Sequence, residues 1–267
     1  MNRIDKKFSE LKSRKTPAFI PFITAGDPDL ETTSDLILEF EKRGADIIEL
    51  GIPFSDPIAD GPVIQASYYR TLLKGAKVSR ILDMVSELRK KSDIPIVAMV
   101  SYSTVYKIGY QSFVERVVNA GLDGLTIPDL PVEENSEIFE IAKSKNFKIV
   151  CFIAPTTTDQ RIALITQKSQ GFLYYIAVVG ITGMRDCLPE DVVQNISKLK
   201  RMTNTPIVVG FGVSTPDQAK LIGKTADGVI VGSAIVKEIE RHTNDSREVL
   251  LRSVGKFVGD LILGAKG

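Results

Sequence analysis

The sequence has few of the residues that bind soft metals or staple small folds: 267 residues hold two cysteines and one histidine. Cys151 and Cys187 form no Cys-x-x-Cys pair and no framework spacing, so a reducing compartment is the simpler expectation, with the cytoplasm as the location. The one histidine, His242, stands in a polar stretch with Arg241 and Asn244 and reads as a solvated bystander, which argues against a zinc site built on imidazoles. Also missing is any apolar stretch near the roughly 18 residues that a membrane-spanning helix requires. The charged opening Met1-Asn2-Arg3-Ile4-Asp5-Lys6-Lys7 carries no apolar run, so no signal peptide is expected.

Charge of one sign is absent too. The 34 basic and 33 acidic residues are well mixed and sum to +1, leaving no long-range field to gather nucleic acid or an anionic membrane. An anion site in this chain must therefore be local. No Gly-x-Gly-x-x-Gly follows the first apolar run, which weighs against an open doubly wound sheet.

What is present is an alternation. Nearly continuous apolar runs recur at Ala18–Thr24, Asp46–Ile52, Ile96–Val100, Gly124–Pro128, Ile149–Ala154, Phe172–Val178, Ile207–Gly210 and Gly228–Val231. Strands covered on both faces lose the apolar–polar alternation and read in this way. Between them the period is helical: Ile81, Leu82, Val85 and Leu88 share one face, as do Phe113, Val114, Val117 and Val118, and Val192, Val193, Ile196 and Leu199. Thr215-Pro216-Asp217 is a helix start, Ser246 opens a last helix, and Asn2–Arg14 is an amphipathic leader able to plug a barrel floor. Eight strands alternating with helices, without a linker or a break in composition, predict an α/β chain forming a single (β/α)8 TIM barrel over residues 1–267, with an extra N-terminal helix.

In a barrel the loops after the strands form the active face. In Asp46-Ile47-Ile48-Glu49-Leu50-Gly51 the period of two sends Ile48 and Leu50 to one side and Ile47, Glu49 and Gly51 to the other. With the aliphatic pair against helices, Glu49 faces the barrel mouth, where desolvation raises a carboxyl towards the range of acid–base catalysis. The loop that follows, stiffened by Pro53, Pro57 and Pro62, presents Asp56 and Asp60. Asp129, in Ile127-Pro128-Asp129-Leu130-Pro131, is either a third acid at a strand end or the cap of a helix beginning near Glu133.

The other half of the mouth is rich in glycine. Gly210-Phe211-Gly212 ends the seventh run and Gly232-Ser233-Ala234 follows the eighth, with a short helix expected from Ser233. Glycines let backbone N–H groups close on an anion, a helix start adds its positive end, and the loops after strands seven and eight are the usual barrel phosphate site. Gly180-Ile181-Thr182-Gly183 begins a long segment able to act as a lid. Apart from Lys148, at the opening of the fifth run and hence at the wrong end, no strand run carries a lysine, which argues against an imine-forming lyase. Acids holding Mg²⁺ stay open as the weaker reading. Cys151 reads as a small core residue, and Cys187 sits in the lid segment with no histidine to activate it.

Taken in order, Pro17–Pro28, Ile48–Pro62, Ile127–Pro131, Gly180–Gly183, Gly210–Gly212 and Gly232–Val236 resemble the tryptophan synthase α-chain family over nearly the whole chain. The resemblance implies cleavage of indole-3-glycerol phosphate to indole and glyceraldehyde 3-phosphate, with neither metal nor organic cofactor on this chain. It implies Glu49 and Asp60 as the catalytic pair, with Thr182 orienting Asp60. Phe22, Tyr174 and Phe211 would wall the indole pocket, and Gly183, Gly212, Gly232 and Ser233 would hold phosphate. It also implies a pyridoxal-phosphate β chain as partner in an α2β2 heterotetramer, with Asp56 in the contact loop. The run Ser101-Tyr102-Ser103-Thr104 departs from the family's Tyr-x-Asn after strand three, which puts the coupling to a β chain in question. Two other readings stay open: a chain kept mainly to activate a β chain, and a free-standing lyase.

Overall fold

In the computed structural model, which describes residues 1–134, 136–177, 188, 190–210 and 212–267, eight parallel strands close into a barrel in chain order. They are β1 (Ala18–Thr24), β2 (Ile48–Gly51), β3 (Ile96–Met99), β4 (Gly124–Thr126), β5 (Lys148–Ile153), β6 (Leu173–Ile176), β7 (Ile207–Gly210) and β8 (Gly228–Val231). The helices begin with α1 (Arg3–Arg14), α2 (Leu30–Arg43), α3 (Pro62–Leu73), α4 (Val78–Leu88), α5 (Tyr102–Ile108) and α6 (Tyr110–Ala120). They continue with α7 (Ser136–Ser144), α8 (Asp159–Lys168), α9 (Glu190–Met202), α10 (Pro216–Gly223), α11 (Ser233–Arg241) and α12 (Arg247–Lys266).

The apolar runs are continuous because most of them serve two cores. Phe19, Ile23, Ile48, Leu50, Ile96, Ala98, Val209 and Val229 pack outward against the helix layer. Ala18, Ile20, Ile47, Val97, Val150, Phe172, Val208 and Ile230 fill the barrel, and Ile4, Phe8 and Leu11 of α1 close it from below. The expected floor plug is therefore in place. Asn2 fastens it: its Oδ1 accepts from the Ile4 N–H at 2.8 Å while its Nδ2 donates to the carbonyls of Asp123 and Asn146. Lys148 pairs with Asp5 of α1 at 2.7 Å, at the end of the barrel away from the strand C-termini.

An aspartate precedes three of the even strands and has one repeated job. Asp46, Asp123 and Asp227 accept from the N–H groups of Phe19, Ile96 and Ile207, each on the neighbouring odd strand, at 2.8, 2.9 and 2.8 Å. A carboxylate here satisfies a strand's leading donor, which would otherwise be buried unpaired. Register then carries Glu49 to the rim: it pairs with Phe22 on β1 and Val97 on β3.

Most predicted helix faces are the buried ones, and Thr215 and Ser246 are the N-caps of α10 and α12. Val193 is an exception, lying 36% exposed on α9, where Val192, Ile196 and Leu199 suffice for the buried stripe. His242 is no solvated bystander. Partly buried at the end of α11, its Nδ1 lies 2.6 Å from Asp245 Oδ2, a contact that raises its pKa. No helix among the described residues is long and apolar enough to cross a membrane.

Candidate active site

Glu49 is the second residue of β2, and only 2% of it is exposed. It shares a cavity of about 980 Å³ at the strand C-termini with Asp60, Phe22, Tyr174, Gly212, Gly232 and Ser233. Sequence reading expected all seven at the site. Phe152 packs against Tyr174 with ring centroids 4.8 Å apart and the planes tilted by 38°, extending the aromatic wall. Gly180, Thr182, Gly183 and Phe211, expected in the same site, lie outside the described residues, as does Cys187.

The two carboxyls stand in unlike surroundings. Burial first, and then the negative charge of Asp60, push Glu49 up from 4.5 to about 8; the hydroxyls of Thr126 and Tyr174 oppose the rise. They oppose it weakly, because Glu49 Oε1 and Thr126 Oγ1 both lack a hydrogen-bond partner among the described residues. Asp60 is less buried, and desolvation followed by the charge of Asp129 lifts it from 3.8 to about 6. At neutral pH the first is a carboxylic acid and the second a carboxylate. Tyr68 and Tyr174 are held as neutral phenols, raised by burial foremost and then by these same two acids.

The loop bearing Asp60 is pinned from behind. Gln65, in the first turn of α3, donates its Nε2 to the Asp60 carbonyl at 2.8 Å, and the Asp60 N–H reaches the Pro57 carbonyl at 3.1 Å. Asp56 is exposed and lines a smaller, adjoining cavity with Phe54, Ile58 and Ser101, which borders on Asp60 but not on Glu49, so the loop does not bring Asp56 to Glu49. Asp129 does not cap α7, which starts at Ser136. Its carboxylate accepts instead from the Ser101 hydroxyl at 2.9 Å and the Tyr102 N–H at 2.7 Å, so it caps α5 on the neighbouring strand's loop. Ser101, part of the departing run, is thus the N-cap of α5 and ties that helix to the β4 end.

Two glycines make room for the aromatic wall. A Cβ on Gly210 would stand 2.3 Å from Tyr174 Cε2, and one on Gly51 would stand 2.5 Å from Phe22 Cζ. Gly212 faces open space instead. Beside it α11 begins at Ser233 with Gly232 as N-cap, no side-chain cap and no acid in its first turn. Its first N–H groups are therefore left to a ligand, the arrangement that favours an anion.

Sequence reading missed Tyr68, which is buried on α3 and feels both acids. Its signal was available in the spacing Ile64, Ser67, Tyr68, Thr71, which marks one inward helical face. Cys151 is buried as expected, and burial pushes its thiol up to about 12, which makes it inert at neutral pH. Among the described residues no group of three or more His, Cys, Asp or Glu side chains is arranged to hold a metal ion.

Comparison with known proteins gives this site its context. A family described as "Tryptophan synthase alpha chain" matches residues 8–261. The tryptophan synthase alpha chain of Thermoanaerobacter sp. (strain X514) is 47% identical over 261 residues, covering 98% of each chain. The crystal structure of tryptophan synthase subunit alpha from Legionella pneumophila str. Paris superposes with a TM-score of 0.91 at 34% identity, covering 99% of this chain and 98% of that one. A structure of the tryptophan synthase α2β2 complex from Pyrococcus furiosus contains a chain that superposes with a TM-score of 0.85 at 39% identity, covering 92% of this chain and 98% of that one. The chain belongs to the tryptophan synthase alpha-chain family.

Proposed function

We infer that Glu49 and Asp60 carry out the reaction of this family in this chain, the retro-aldol cleavage of indole-3-glycerol phosphate to indole and glyceraldehyde 3-phosphate. One observation carries the assignment. A buried carboxyl and a more open one share a single cavity with aromatic walls and the uncapped start of α11.

The bond from indole C3 to the glycerol chain breaks only if the ring can leave with its electron pair. Glu49, protonated at rest, gives its proton to C3 and makes an indoleninium ion. Asp60, ionised at rest, accepts a hydrogen bond from the ring N–H and offsets the new positive charge. The Glu49 carboxylate then removes the proton of the hydroxyl next to the breaking bond, so that the side chain departs as an aldehyde and the electron pair returns to the ring. Glu49 ends as it began, protonated. Burial makes it reluctant to stay ionised, which suits a group that must lose a proton and regain it in one turnover.

Phe22, Tyr174 and Phe152 are proposed to hold the indole plane, while the amides of Gly212, Gly232 and Ser233 hold phosphate. Gly183, Thr182 and Phe211 keep the roles implied by the resemblance: phosphate contact, alignment of Asp60 and closure of the indole pocket. The proposed partner is a β chain that carries pyridoxal phosphate, docked over the loops bearing Asp56 and Ile58; Ile58 is 85% exposed. No organic cofactor or metal is assigned to this chain's own chemistry. The test is indole release from indole-3-glycerol phosphate. Glu49→Gln is expected to lower turnover by at least about 10²-fold, the lower scale of a lost acid–base group. Near-normal turnover in that variant takes Glu49 out of the mechanism.

A further inference from the structure

The catalytic cavity contains two carboxyls and must accept a substrate that is itself an anion. Among the described residues lining it, one side chain is basic: Lys237. Nothing in the sequence reading or in the family resemblance assigns it a role.

Its place on α11 determines what it can reach. Ser233 is the first residue of the helix and Lys237 the fifth, so the two lie one turn apart on the same face. Side chains on a helix lean towards its N-terminus, which aims the Lys237 stem at the uncapped amides of Gly232 and Ser233. The neighbouring acids do not engage it. Glu238 pairs with Arg241 at 2.7 Å and Glu240 with Arg70 at 2.7 Å, while Lys237 forms no ion pair among the described residues. The helix macrodipole does not explain a cation there either, since Lys237 is the middle residue of α11, outside the end turns on which the dipole acts. A basic residue with no ion pair among the described residues, beside an anion cradle in a cavity already holding two acids, matches the need of an incoming phosphate.

We propose that Lys237 binds the substrate phosphate, adding a charge-assisted contact to the backbone cradle at the start of α11. The assignment rests on the reading of this cavity as the site of a phosphorylated substrate. Lysine suits a flank position, since its ammonium acts as a mobile point charge and tolerates the adjustment of a ligand gripped elsewhere by amides. Its contribution is to ground-state and transition-state binding alike, because the phosphate does not react. Removing it should therefore raise KM and leave kcat nearly as it was.

The experiment compares the full-length chain with Lys237→Met and Lys237→Arg. Binding of inorganic phosphate is measured by titration calorimetry, and KM and kcat are measured for indole-3-glycerol phosphate. Lys237→Met is expected to weaken inorganic phosphate and raise KM each by roughly tenfold at low salt, with kcat falling by less than about twofold. Lys237→Arg should restore both to within about threefold, and the difference between wild type and Met should shrink as salt screens the contact. Unchanged phosphate affinity in the Met variant overturns the proposal, as does a loss confined to kcat. The two layers separate cleanly: phosphate binding that depends on Lys237 in a chain releasing no indole would sink the lyase reading and leave Lys237 standing.

Discussion

Replacing Glu49 by glutamine should make the protein more stable at neutral and alkaline pH, although it removes the proposed catalytic acid. Glu49 is buried to 2% exposure, its Oε1 has no hydrogen-bond partner among the described residues, and its pKa is raised from 4.5 to about 8. Below about pH 4.5 the folded and unfolded chains both carry its proton, and a carboxylic acid and an amide are near-equal occupants of the site. Between the two values the folded chain keeps a proton that the unfolded chain releases, so stability falls as pH rises, by about 1.4 kcal/mol per pH unit. Above about 8 both states are ionised and the penalty is complete, on the order of 5 kcal/mol. Glutamine has no such proton. Urea unfolding of both chains should therefore show the advantage of the variant growing by about 3 kcal/mol between about pH 5.5 and about pH 7.5, with unchanged m-values. Parallel stability–pH curves would refute the reasoning, since they would mean that Glu49 ionises in the fold as it does in water.

The glycines give a paired test of the cavity wall. Gly210→Ala sets a Cβ 2.3 Å from Tyr174 and should cost about 1–3 kcal/mol of stability by overpacking, read from the urea midpoint, along with much of the lyase activity. Gly212→Ala, with nothing within 4 Å, should fold as stably as the parent and raise KM for the phosphorylated substrate alone. Activity should also survive prolonged treatment with EDTA. Loss that added Mg²⁺ restores would turn the acids of this site into metal ligands.

The barrel is legible because its signals are local and redundant. β1, β7 and β8 begin and end where the apolar runs do, since Pro17, Pro206 and the glycines at 210, 228 and 232 punctuate the chain there. β2 and β4 stop short of their runs because Ile52 and Ile127 are buried beneath the loops that leave the barrel, so apolar character outlasts the ladder. Glu49 was legible from strand period alone, since Ile48 and Leu50 had to face the helices and left it the interior. What depended on contacts across the fold was not. Asp129 looked like a local cap and serves the helix after the preceding strand, a choice that register alone decides. His242 looked solvated because its neighbours in sequence are polar, yet Glu238 and Asp245 reach it from one turn on either side. Tyr68 is legible only in part: the spacing Ile64, Ser67, Tyr68, Thr71 marks an inward helical face, but closure of the barrel is what brings that face over the acids.

The most direct measurement of the central claim, a protonated Glu49 acting beside an ionised Asp60, is the pH dependence of kcat/KM for indole release from indole-3-glycerol phosphate. The account predicts a fall on the alkaline side as Glu49 loses its proton near the value of about 8. On the acid side it predicts a fall as Asp60 gains one near about 6, a limb on which the substrate phosphate also titrates. The alkaline limb is the decisive one. A rate that stays flat from neutrality to well above the Glu49 value would contradict the account, because the proposed acid would then be working without its proton.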